Sequence, residues 1–178
     1  MNGFEWEVAR AGGIVAYVLL SAVVVIGLAL SGRERLESWP RFAIEDVHRF
    51  TGMLVGAFVA LHVLTIAIDS QAHFSLVQLV VPFASSYRPL WTGLGIVAAE
   101  LLVALAVANH YRKRISYRLW RRLHYLNFAV WLAATWHGIG AGTDSGSAWL
   151  LWIYAGAIGA VALLTARRIL RTAPPVSA

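Results

Sequence analysis

Five apolar runs, at approximately residues 11–31, 46–68, 90–109, 119–140 and 148–166, take up most of this 178-residue chain. Each is about 20 residues long, the length at which an α-helix crosses the roughly 30 Å hydrocarbon core of a bilayer. Lipid offers no hydrogen bonds to a backbone, so a run of this kind becomes a helix. The expected fold is therefore all-α, an integral membrane bundle of five transmembrane helices. The first run is too long for the apolar core of a cleavable signal, and Glu5 and Glu7 precede it where a signal would carry basic residues. It reads as a retained helix.

A net charge of +6 raises the question of nucleic-acid binding, and the distribution of charge answers it. Arg33, Arg35, Arg41 and Arg49 fall between the first two runs; Arg112, Lys113, Arg114, Arg118, Arg121 and Arg122 between the third and fourth; Arg167, Arg168 and Arg171 after the fifth. Only Arg10 and Arg88 lie on the other connections. This alternation is the positive-inside pattern, not a nucleic-acid footprint. It predicts an outer N-terminus, a cytoplasmic C-terminus and a multi-pass place in a bacterial-type inner or plasma membrane, with lipid as solvent. The expected organisation is an N-terminal segment (1–10), one transmembrane domain (11–168) and a disordered cytoplasmic tail (169–178). Residues 69–89 read as a short interfacial segment and a turn, and 138–147 as a flexible loop.

The chain has no cysteine, which excludes thiolate-ligated haem, iron–sulfur clusters and covalent haem attachment. It also has no GxGxxG loop following a strand, and no soluble part large enough for a flavin or nicotinamide fold. Reducing equivalents would have to come from a partner.

Six histidines are present, and four form two spaced pairs: His48 and His62 in the second run, His124 and His137 in the fourth. These two helices run in the same direction, and a spacing of 14 or 13 residues is about 21 or 19.5 Å of helix. Two levels result, each with one imidazole from each helix. Rotation separates the pairs: 14 residues leave an offset of about 40°, whereas 13 leave about 140°, so the fourth segment needs a kink, a π-bulge or different ligand approach angles. A metal with two imidazole ligands needs the rest of its coordination from elsewhere, and a porphyrin supplies four equatorial nitrogens. The blander alternative is interfacial or packing histidines; matching depth on parallel helices weighs against it.

Arg49, Arg118, Arg121 and Arg122 stand at the inner level, where haem propionates would find cations, although they also serve as positive-inside anchors. Arg88 has no topological reason to be outside and is assigned to an outer propionate. Gly52 and Gly56, and Gly138 and Gly140, would either clear a flat macrocycle or pack helices. Phe50, Phe58, Trp131 and Trp136 are candidate pocket linings. His73 is a reserve outer ligand, His110 faces water or headgroups, and Glu100 is the one carboxylate deep in a helix.

The motifs HRFTGMLVGAFVALH (48–62), SYRPLW (86–91) and YRLWRRLHYLNFAVWLAATWH (117–137) resemble the ferric reductase-like transmembrane domain family, over approximately residues 12–165. That family includes ferric reductases, the membrane part of NADPH oxidases and the haem membrane subunit of periplasmic methionine sulfoxide reductase. The resemblance implies two haems b, with His48 and His124 on the inner one and His62 and His137 on the outer one. It further implies an oxidoreductase membrane subunit, here without its own flavin and NADPH domain and with five helices against the six of many members. Its donor would be a cytoplasmic flavin reductase or a membrane quinol. Its acceptor would lie outside the cytoplasm: ferric ion, oxygen or a protein. The rival expectations are a non-redox membrane scaffold or partner-docking protein, and an unrelated quinol-linked di-haem cytochrome with other histidine pairings.

Overall fold

A computed structural model describes residues 3–31, 39–69 and 74–172. The described residues form seven α-helices, in order α1 (Phe4–Ser31), α2 (Arg41–Ile68), α3 (Leu76–Val80), α4 (Pro89–His110), α5 (Tyr117–Tyr125), α6 (Asn127–Ala141) and α7 (Ala148–Thr172). A 3-10 turn at Arg112–Arg114 joins α4 to α5, and the described residues contain no strand. Four helices, α1, α2, α4 and α7, are long and apolar enough to cross a membrane. The molecule is a multi-pass membrane protein.

The run expected to form one further span is divided. Its first part, α5, is nine residues long and its second, α6, fifteen; they part at Leu126. Proline and glycine are both absent from the break. The side-chain amide of Asn127 donates to the His124 carbonyl at 2.7 Å, and the Leu126 N–H turns to the Leu123 carbonyl, three residues back. A side chain thus competes with the regular helical ladder at this point. Two other boundaries differ from expectation. Helix α6 continues through Ala141, so the loop expected from 138 begins at Gly142, because apolar Ile139 stays packed against the core. Helix α7 runs to Thr172, four residues into the stretch expected to be a disordered tail. Arg168 explains much of that extension: its guanidinium donates to Ser31 Oγ at 2.9 Å and to Tyr125 Oη at 3.2 Å.

Helix α1 is central. It packs along α2 and also meets α6 and α7, while α4 packs on α6. The buried face of α1 carries Tyr17, Leu20, Ser21, Val24 and Leu28. Here the core is partly polar. The Trp131 indole N–H donates to Ser21 Oγ at 3.0 Å, Ser21 donates to the Tyr17 carbonyl, and Thr135 Oγ1 lies 3.2 Å from Tyr17 Oη. Tyr154 of α7 closes the cluster against Tyr17, with ring centroids 4.9 Å apart. Ser21, Trp131 and Thr135 are thus satisfied by another helix or by their own backbone, as an interior without water requires. Trp131, expected as a pocket lining, is instead a tie between α1 and α6.

Replacing Trp131 separates packing from hydrogen bonding. Trp131→Ala is expected to destabilise the fold by about 3–5 kcal/mol through the cavity it leaves. Trp131→Phe should cost only about 0.5–1.5 kcal/mol for the lost bond to Ser21. Denaturant unfolding of the detergent-solubilised protein, followed by circular dichroism, measures both.

Candidate haem-binding site

Three of the four spaced histidines sit in the same local device. His62 Nδ1 is 2.7 Å from the Ala9 carbonyl, and its ring lies against Gly13, where an added Cβ would come within 3.0 Å of Nδ1. His137 Nδ1 is 2.9 Å from the Trp91 carbonyl, and a Cβ at Gly95 would come within 2.5 Å of it. His48 repeats the register on α1: its imidazole lies near the Val23 backbone, and a Cβ at Gly27 would approach its Cε1 to 3.2 Å. Its contact with Val23 closes no regular hydrogen bond, which leaves a buried Nδ1 unsatisfied. In each case the carbonyl stands four residues before the glycine. One helical turn separates them, so the missing side chain opens the surface beside the carbonyl and admits an imidazole edge.

A carbonyl can only accept, so Nδ1 of His62 and of His137 carries the proton. Each Nε2 then keeps its lone pair, the form in which a histidine binds metal. His62 faces His137 with ring centroids 6.2 Å apart and planes inclined by 75°; His48 faces His124 at 6.2 Å and 61°. Two imidazoles bonded to one metal at about 2 Å each, with each ring nitrogen about 1 Å from its centroid, would have centroids about 6 Å apart. Both spacings fit. Among the described residues no group of three or more His, Cys, Asp or Glu could hold a metal. Each pair brings two imidazole donors together. A Cβ at Gly52 or Gly56 would meet nothing within 4 Å among the described residues, so neither packs against another described helix.

The break at Leu126 bears on rotation. Along one straight helix His124 and His137 would diverge by about 140°, yet α5 and α6 turn both rings toward α2.

The arginines are placed as follows. Arg88 caps α4 in the left-handed region (φ 42°, ψ 62°), and its guanidinium donates to the Gly140 carbonyl at 2.6 Å. That bond satisfies the C-terminal end of α6, a local role that the sequence did not suggest. Arg121 donates to Tyr125 Oη at 3.1 Å, Arg49 is exposed and 3.7 Å from Asp46, and Arg122 is exposed. Gly138 and Gly140 admit Tyr154 and Trp91, so they serve packing and not clearance. Trp136 stacks on Trp91 at 6.1 Å, while Phe50 is exposed. Glu100 is exposed on α4, and His110 stacks edge-on against Tyr111. His73 lies outside the described residues.

Residues 12–135 match a family described as ferric reductase like transmembrane component. The chain belongs to this family. No curated protein and no solved structure matches it. Family membership makes it a membrane component of electron transfer, and haem the group its members generally bind. Reasoning from sequence missed Gly13, Gly27 and Gly95, although a signal was present: Gly13 and Gly27 are spaced 14 apart, as are His48 and His62. Two antiparallel helices in register would juxtapose them.

Gly95→Ala should overpack the His137 seat and destabilise the protein by about 1–3 kcal/mol. Gly159→Ala, in α7 with nothing within 4 Å, should instead be neutral or stabilising by up to about 1 kcal/mol. Thermal unfolding of the two variants side by side gives the comparison.

Proposed function

We propose that this chain is a di-haem b transmembrane electron-transfer subunit, with His48 and His124 holding the inner haem and His62 and His137 the outer. It crosses the membrane five times, α5 and α6 together making one crossing, with the N-terminus outside and the C-terminus in the cytoplasm. The observation that carries this reading is the pairing of imidazoles at 6.2 Å on two levels, with the outer pair's Nδ1 atoms tied to main-chain carbonyls. Residues 48 and 62 set the levels about 21 Å apart along α2.

Haem, when bound, supplies a reversible one-electron couple. The chain's own residues hold and orient it. Ala9 and Trp91 fix the outer imidazoles through their carbonyls, and Gly13, Gly27 and Gly95 let the rings approach the helices. Arg49, Arg121 and Arg122 supply positive charge for propionates at the inner level, and Arg88 at the outer. Electrons enter from a cytoplasmic flavin reductase or a membrane quinol and leave to ferric ion, oxygen or a protein outside. Tyr17 and Ser21 of α1 bond Thr135 and Trp131 of α6, tying the two helices together.

Oxidised and reduced visible spectra of the purified protein should show low-spin b-type haem at two per chain. Alanine at His48, His62, His124 or His137 should each remove ligation at one haem, and His110→Ala should leave both. A colourless protein would refute the reading in favour of a non-redox scaffold. Arg88→Glu should lower occupancy or shift the midpoint potential of the outer haem alone, as read by potentiometric titration.

A further inference from the structure

The two imidazole pairs are not built alike. At the outer level both rings are half-buried and both Nδ1 atoms are bonded to carbonyls of a different helix from the one that carries the ring, at 2.7 and 2.9 Å. These bonds fix tautomer and orientation before anything binds. At the inner level His48 occupies the equivalent glycine seat on α1, but its Nδ1 closes no regular hydrogen bond.

His124 departs further. It is exposed, and among the described residues it meets no carbonyl and no glycine seat on a neighbouring helix. Its neighbours are instead local: Trp120, one turn earlier, stacks on the imidazole at 5.1 Å and 23°, and the Asn127 amide lies 3.5 Å from Nδ1 while bonding the His124 carbonyl at 2.7 Å. The helix that carries it is nine residues long, has no buried residue and ends at the Leu126 break. Among the described residues no hydrogen bond from another helix reaches this ring, and the link to α4 is indirect, through the Trp120 indole N–H that donates to Asn109 Oδ1 at 3.4 Å.

We infer that His124 is a detachable ligand, so that the inner site holds haem more weakly than the outer and can open a coordination position on the cytoplasmic side. This rests on the di-haem reading proposed above. Partners that orient a metal-bound histidine are worth about 10- to 100-fold in affinity, and the outer pair has them while His124 does not. Trp120 acts as a positioning residue, holding the ring by stacking alone.

Haem transfer from the purified holoprotein to excess apomyoglobin, followed by absorbance, tests the inference. Two phases of equal amplitude are expected, the fast one about 10- to 100-fold quicker than the slow. His124→Ala should remove the fast phase and spare the slow one. Trp120→Leu should accelerate the fast phase, and Trp120→Phe should restore it. Gly95→Ala should accelerate the slow phase only. Cyanide added to the ferric protein should shift the spectrum of half the haem at most. A protein that retains a single haem after purification supports the inference if His124→Ala leaves that haem in place and His137→Ala removes it. Loss of both haems at one rate, or removal of the fast phase by His137→Ala, would overturn it. A chain that binds no haem at all refutes the di-haem reading itself, which is a different result.

Discussion

The architecture depends on a hydrogen bond between an imidazole and a carbonyl that already serves its own helix. A helical carbonyl has a second lone pair, but its neighbouring side chains normally shield it from another helix. Glycine one turn later removes that shield. His62 at Ala9 and Gly13, and His137 at Trp91 and Gly95, use this arrangement, and His48 adopts its register at Val23 and Gly27. The bond does two things together. It satisfies a polar group in an environment without water, and it commits Nδ1 to donation so that Nε2 faces the opposite imidazole.

Helix packing follows from this contact. Helix α1 supplies both seats for α2, so the two pack antiparallel along their length. Helix α4 supplies the seat for α6, and the turn before it locks that pair: Tyr87 Oη donates to the Ala141 carbonyl at 3.2 Å, Arg88 to that of Gly140, and Thr92 to that of Tyr87 at 2.7 Å. The SYRPLW motif is thus a clasp between the start of α4 and the end of α6. A left-handed conformation at Arg88 is strained for a residue with a side chain, and its persistence is explained by these bonds.

Much of the site was legible from spacing. The two histidine pairs, their spacing along each helix and the need for a kink, a π-bulge or different approach angles in the fourth apolar run all follow from 1.5 Å and 100° per residue. The location of that break did not, because Asn127 acts through a side-chain bond to the His124 carbonyl, and no glycine or proline marks the position. Glycine roles were also misjudged in part. Gly138 and Gly140 were legible as small residues near His137, yet only packing reveals that Tyr154 and Trp91 take the space. Arg88 was legible as an unexpected outer charge, and its bond to Gly140 depends on where α6 ends.

The sequence by itself determined that the chain is helical, lies in a membrane and carries four histidines on two levels. Length, hydropathy and helical pitch are properties of one segment at a time, so they need no knowledge of neighbours. Tertiary structure decided which glycines face which rings, which Nδ1 atoms find a carbonyl, and that, of the four spaced histidines, His124 meets no glycine seat among the described residues. Those are contacts between segments more than 40 residues apart for His62 and His137. Rotation of each helix about its own axis sets them, and that rotation is fixed only when the helices pack.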